Sequence, residues 1–134
     1  LQRIYKNDRF LEFGWFAARL DDLLNLVPAQ LTALSYCLFG RRQQALHCWR
    51  HQGLIWKSLN AGSVMAAGAG SINVTVGGDD SYHGTMQARP LLGPQPSEET
   101  RPSVAGIQSA CLLVNKALAL WGLAIILVVM ASLK

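Results

Sequence analysis

At 134 residues the chain has room for one domain. It is 51% apolar and only 15% charged, against about 25% charged residues in an average soluble domain, which favours a partly lipidic surrounding. The net charge of +4 comes from Lys and Arg spread along the sequence, without a basic stripe interleaved with aromatics. That pattern argues against nucleic acid and leaves acidic headgroups or an anionic, phosphorylated ligand as the natural partners.

Leu1–Phe10 is polar, with Arg3, Lys6, Asp8 and Arg9, and does not read as a secretory signal. From about Asp8 to Leu26, Phe10, Phe13, Ala17, Leu20 and Leu24 recur at helical spacing and predict an amphipathic helix. Leu23–Gly40 carries no charge, but Asn25, Pro28, Gln30, Thr32 and Ser35 interrupt it. Pro28 disfavours helix at Val27 and suits a first turn, so a separate helix is expected from Pro28 to Phe39, stopped by Gly40. Too short to span comfortably, it reads as half of a helical hairpin or as an interfacial helix. Arg42 to about Lys57 predicts a basic amphipathic helix whose Leu46, Trp49 and Trp56 would anchor it at a membrane–water boundary.

Asn60–Gly70 predicts a small-residue helix capped by Ser58 or Asn60. Ile72–Val76 alternates like a short strand but has no obvious partner, and Asp79–Ser103 reads as a loop, mobile over Pro94–Pro102. Ala117–Leu133 is free of charge between Lys116 and Lys134. Counted back to Ser109, it reaches the roughly 20 residues that cross hydrocarbon, with Lys116 snorkelling. A transmembrane helix is expected there, the plainer alternative being a buried core helix or an interfacial segment. Arg89 and Arg101 against Lys134 do not fix its orientation. Cys37, Cys48 and Cys111 are odd in number, without CxxC spacing, and give no disulfide framework; Cys37 and Cys111 read as small hydrophobes. The fold class is therefore mainly α: a helical, membrane-associated region over residues 1–108, with a Gly/Ala-rich segment and a long loop, followed by a transmembrane helix at 109–134.

Three clusters carry candidate chemistry. Asp21 and Asp22, with Arg19 and Asn25, form a polar knot on an apolar helix, residues 21 and 25 sharing a face. Two carboxylates beside an amide suit Mg²⁺, which takes oxygen ligands and shares itself with substrate phosphates. The plainer reading is a solvated helix end with an Arg19–Asp22 pair. Ser58, Asn60 and Gly62 head the small-residue helix, where free N–H groups and the positive dipole end would hold a phosphate or a corrinoid amide. Alternatively they cap a tightly packed helix that uses Gly62, Ala66 and Gly70 as a contact stripe. Gly77, Gly78, Tyr82 and Gly84 form a flexible polar turn or an ordinary one. His47 and His51 lack a third or fourth ligand at zinc spacing, so interfacial packing is favoured over a metal.

Two blocks carry a resemblance. Tyr5-Lys6, Phe13-Gly14, Ala18-Arg19, Asp21-Asp22, Asn25 and Pro28-Ala29 stand in the order of a family signature, and so do Ser58-x-Asn60-Ala61-Gly62, Gly77-Gly78, Tyr82-x-Gly84 and Pro90-x-x-Gly93. The sequence resembles the C-terminal half of the adenosylcobinamide-phosphate synthase family, membrane proteins of cobalamin biosynthesis, over residues from about 5 to 93. Departures from its pattern are Gln30 for Arg, Leu59 for Pro, Asn73 for Gly, and Asp79-Asp80-Ser81 for Pro-Asn-Tyr/Asn. Family chains are roughly twice as long, so a fragment is expected.

The resemblance implies an ATP-dependent amide ligase that joins adenosylcobyric acid to aminopropanol phosphate or a related amine. ATP and Mg²⁺ would be its cofactors, and its setting would be a bacterial inner membrane, multi-pass in the full-length family. Partners would be the corrinoid and amino-alcohol phosphate, membrane lipid, the remaining half of the family protein or other corrinoid-pathway proteins, and no nucleic acid. Asp21, Asp22 and Arg19 would be catalytic, with Mg²⁺ on Asp21 and Asp22. Asn25, Ser58, Asn60, Gly62, Gly77, Gly78 and Tyr82 would bind substrate. The alternative is a truncated or degenerate, non-catalytic membrane module of that family.

Overall fold

The computed structural model describes residues 8–78, 80–82, 84–87 and 89–134; Arg3, Tyr5, Lys6 and Asp79 of the sequence reading lie outside them. The chain forms α1 (Asp8–Phe39), α2 (Arg42–Gln52), α3 (Leu59–Ile72), an antiparallel pair β1 (Asp80–Tyr82) and β2 (Thr85–Gln87), a 3-10 turn (Glu98–Thr100) and α4 (Val104–Ser132). Mainly helical architecture with a long apolar last helix is what the sequence led one to expect.

The break expected at Pro28 does not occur: α1 runs through it for 32 residues. Local propensity is overridden because both sides of the proline are held by other elements. Asn60 grips α1 at Asp22, Ser63 at Gln30, Ser71 at Tyr36 and Trp121 at Ser35. Thr32 Oγ1 also donates to the Pro28 carbonyl at 2.8 Å, a second bond on a carbonyl one turn back in the same helix.

The second helix ends at Gln52, short of the expected Lys57, because the chain must turn at Gly53 to admit α3. A side chain at Gly62 would strike the Gly53 carbonyl and Trp56, so α3 crosses this turn backbone to backbone. Gly70 lies as closely against Ala45, with Ala66 fully buried between, so the expected Gly62–Ala66–Gly70 contact stripe is formed. Ser58 is the cap: its Oγ accepts from the Ala61 N–H at 3.4 Å. The helix closes on Asn73 at φ 58°, ψ 44°, a left-handed position that Asn tolerates among the L-residues.

The strand expected at Ile72–Val76 is reduced to one bridge, Val76 with Leu92, and its partner comes from the segment expected to be loop. That segment is stitched down. Thr75 N–H donates to the Thr100 carbonyl at 2.8 Å, Thr75 Oγ1 to the Pro94 carbonyl at 2.9 Å, and Gln52 binds Gly93. Leu92, wholly buried against Cys48 and Ala66, is the anchor. The last helix starts at Val104, five residues before the expected Ser109, where Ser103 Oγ caps Gly106 N–H at 3.1 Å.

The interior is made of small residues: Ala33, Cys37, Ala45 and Ala67 form one cluster, with Tyr36, Leu46 and Trp49 against it. Large apolar side chains lie mostly outside, on α1 and α4. By length and composition α4 can cross a membrane; its mean hydropathy reaches 2.3, and only 11% of that stretch is buried.

Candidate functional site

The two sequence blocks meet. Asn60 Nδ2, in the first turn of α3, donates to the main-chain carbonyl of Asp22 on α1 at 2.8 Å. The other amide atom, Asn60 Oδ1, is buried and has no hydrogen-bond partner among the described residues. On the same turn of α1, Asn25 Nδ2 donates to Asp21 Oδ1 at 3.1 Å, as the i,i+4 spacing leads one to expect. Both carboxylates are exposed.

Arg19 does not pair with Asp22. Its guanidinium lies over the Trp15 ring, 5.6 Å from the centroid, leaving the charge at the surface. The plainer reading of a salt-bridged helix end is thus not what this turn builds. Asp21 and Asp22 remain uncompensated by any ion pair among the described residues, where the one formed is the exposed Arg101–Glu98 pair at 3.1 Å.

Other expected site residues divide. Ser58 and Gly62 belong to the same helix start as Asn60, but Ser58 acts as cap and Gly62 as a packing contact with the Gly53 turn. Gly77 and Gly78 have φ of 93° and 96°, which only glycine adopts freely. A side chain at Gly77 would strike the Pro90 carbonyl, so its smallness serves a contact within the chain. No hydrogen bond among the described residues ties Gly77 or Gly78 to the Asp22–Asn60 junction. Tyr82 pairs with Thr85 in the β1–β2 ladder; its side chain lies outside the described part.

Beside the junction a cleft of about 450 Å³ opens between three helices, lined by Leu26, Gln30, Trp49, Arg50, Leu59 and Ser63 among others. Gln30 Nε2 donates to Ser63 Oγ at 3.2 Å within it. Arg50 makes no ion pair among the described residues and gives this mostly apolar cleft a cation. Gln30 stood out in the sequence as a polar interruption of Leu23–Gly40 and a departure from Arg, and Arg50 only as one charge on a basic helix. Their neighbourhood depends on the α1–α2–α3 packing, which no local pattern reports.

For Mg²⁺ the donor chemistry of Asp21 and Asp22 fits, since exposed carboxylates are hard oxygen donors. No cluster of three His, Cys, Asp or Glu suitable for a metal occurs among the described residues, so an all-protein cage is not formed here. His47 and His51 simply lie against each other, ring centroids 4.5 Å apart.

Comparison with known proteins agrees with these two blocks. The family model described as CobD/Cbib protein matches residues 4–114. A cobalamin biosynthesis protein CobD from Stutzerimonas stutzeri is 50% identical over 117 residues, which is 87% of this chain and 37% of the relative. One from Chromobacterium violaceum is likewise 50% identical over 117 residues, 87% of this chain and 36% of the relative. A third, from Mycobacterium tuberculosis, is 40% identical over 114 residues, 81% of this chain and 35% of the relative. The chain thus spans a little over a third of the length of these curated relatives. No solved structure matches it. With the match running through both the acidic turn of α1 and the Ser-x-Asn start of α3, the chain belongs to the CobD/Cbib protein family.

Proposed function

We propose that this chain serves cobalamin biosynthesis as part of a multi-pass membrane protein that amidates a corrinoid carboxylate with an amino-alcohol phosphate. The observation that carries the reading is the Asn60–Asp22 hydrogen bond, which sets the start of α3 against the acidic turn of α1. Family membership supports the pathway, and α4 supports the membrane setting.

A carboxylate is a poor acyl donor at neutral pH, and ATP would supply the phosphoryl group that activates it, with Mg²⁺ neutralising charge on the phosphates. Asp21 and Asp22 would hold the ion. Asn25, bonded to Asp21, fixes that carboxylate's rotamer. Arg19, free of an acidic partner, would meet an anionic group of the substrate. Ser58 and Asn60 order the first turn of α3, and Gln30, Trp49 and Arg50 would flank the bulky ligand in the neighbouring cleft.

A second reading, a non-catalytic packing module, is favoured by one feature: Gly62 and Gly77 spend their missing side chains on contacts within the chain. Membranes carrying the protein, supplied with adenosylcobyric acid, aminopropanol phosphate, ATP and Mg²⁺, discriminate. Formation of adenosylcobinamide phosphate that is lost with Asp22→Asn supports the catalytic reading. Formation unchanged by that substitution removes the site.

A further inference from the structure

Between Gln30 and Tyr36, α1 turns polar groups inward. Gln30 bonds Ser63, Ser35 Oγ accepts the Trp121 indole N–H at 3.0 Å, and the Tyr36 carbonyl accepts Ser71 Oγ at 2.8 Å. Leu23, Leu24 and Val27 point away from the protein at 65%, 68% and 62% exposure, and Leu31, Leu34 and Leu38 continue the same outer face. Beneath them lie Ala33 and Cys37, not larger side chains. Water would reverse this arrangement. A lipid surround permits it, because helices there associate through small residues and interhelical hydrogen bonds.

The last helix supplies the second observation. It meets α1 at two levels. Lys116 lines a cleft of about 250 Å³ together with Phe39, Gly40 and Arg41, and five residues later Trp121 reaches Ser35. The two helices therefore pass one another in opposite directions. From the Ser35–Trp121 pair, twelve residues back along α1 is Leu23 and twelve forward along α4 is Leu133. Each path rises about 18 Å at 1.5 Å per residue. The charge-free segments Leu23–Phe39 and Ala117–Leu133 are thus matched in length, about 25 Å each, and stand level where Ser35 meets Trp121. Lys116 and Arg41-Arg42 bracket one end, Lys134 and Asp21-Asp22 the other.

We infer that α1 crosses the bilayer beside α4, with Leu24, Val27, Leu31, Leu34 and Leu38 facing lipid. This rests on the reading of the chain as a membrane protein and adds a second span to it. Composition alone does not mark α1, because Asn25, Pro28, Gln30, Thr32 and Ser35 dilute its hydropathy; the structure shows Gln30 and Ser35 engaged by α3 and α4. The Asp22–Asn60 junction then lies at one membrane surface and Arg41-Arg42 at the other. Gln43 and His47 are exposed on α2, and Arg50 lines the cleft that α2 shares with Leu26 and Gln30 of α1.

Two measurements on the protein in its membrane test this. A lipid carrying a mid-chain diazirine is photoactivated in vesicles holding the unsubstituted protein, and adducts are mapped by peptide. Adducts within Leu23–Phe39 as well as Ala117–Leu133 are expected. Adducts on α4 alone overturn the α1 span while leaving the membrane reading intact; adducts on neither remove the membrane reading itself. In a Cys111→Ala background, Glu12→Cys and Gln43→Cys are then labelled in sealed vesicles by an impermeant maleimide. Labelling from opposite sides is expected. Labelling of both from one side overturns the crossing and makes α1 a helix lying along one surface.

Discussion

Gln52 holds Gly93 by both of its peptide groups. Its Nε2 donates to the Gly93 carbonyl at 2.8 Å, and its Oε1 accepts the Gly93 N–H at 2.7 Å. One side-chain amide thus imitates a strand neighbour and fixes the 90–94 segment on the end of α2. Gln52→Ala leaves two buried backbone groups unpaired, at about 1–3 kcal/mol for each unsatisfied group. Gln52→Glu keeps the volume but has no N–H for the carbonyl, so it is expected to destabilise nearly as much. Thermal unfolding of both variants in one detergent checks this; a Glu variant as stable as the parent would reduce Gln52 to a space-filling role.

Gly62 and Gly70 on α3 are expected to divide sharply from Gly14 on α1 and Gly122 on α4. A methyl group at Gly70 would sit 2.8 Å from Ala45 Cα, and one at Gly62 would strike the Gly53 turn. Gly62→Ala and Gly70→Ala must push α3 off α2, at about 1–3 kcal/mol each. Gly14 and Gly122 have nothing within 4 Å. There the same change removes only helix-breaking freedom and is expected to stabilise by up to about 1 kcal/mol. Denaturation midpoints of the four variants, measured side by side, decide it.

Asn73 departs from the glycine of the family pattern, and its backbone explains why the departure is tolerated. At φ 58° the position is left-handed, and the side chain accepts a hydrogen bond from Gln44 Nε2 at 2.8 Å. Asn73→Gly is expected to change stability by a few tenths of a kcal/mol, relief of backbone strain offsetting the lost bond. Asn73→Val, β-branched, should cost about 1–2 kcal/mol. A Val variant equal to the Gly variant in Tm would mean that the helix ends differently.

Burial pushes the Cys48 thiol above its ordinary value of 9.0, the largest cause being desolvation, with a backbone hydrogen bond acting the other way. Folding therefore favours the protonated thiol. Its contribution to stability is complete below the ordinary value and is lost as pH rises from there through the folded value. Stability is expected to fall above about pH 9 from this group, and Cys48→Ala should flatten that part of the profile. Alkylation by an aqueous maleimide should be slow at Cys48 in the folded protein and fast after denaturation.

What the sequence made legible follows from how local each signal is. The apolar run of α4, the Ser58 cap and the Gly62–Ala66–Gly70 stripe are patterns within one element, and the structure has all three. Pro28 misled because its penalty is local while the grips that oppose it, from Ser63, Ser71 and Trp121, come from other helices. The 90–100 segment read as loose because its restraints, Gln52 and Thr75, lie far away in sequence. At the candidate site, Asp21 with Asn25 was visible as an i,i+4 pair. Arg50 was not, because only the packing of α2 brings it to the cleft beside Asn60.

The junction itself allows chemistry to be separated from architecture. Asn60 binds the main-chain carbonyl of Asp22, not its carboxylate. Asp22→Asn therefore keeps the bond and the local fold while removing a charge. Its expected outcome is an unchanged Tm with corrinoid amidation reduced by on the order of 100-fold or more, the scale of losing an electrostatic contact made in the transition state. Asn60→Ala removes the bond and the orphaned oxygen together, and is expected to lower stability by about 1 kcal/mol as well as activity. Asn60→Asp keeps the shape but sets a carboxylate oxygen against the Asp22 carbonyl, so it should unfasten α3 from α1 more than Ala does. Activity and unfolding measured on all three variants in the complete protein separate the possibilities. Loss of stability with Asp22→Asn equal to that with Asn60→Ala would show the acidic turn to be structural, and the metal-holding role would fall with it.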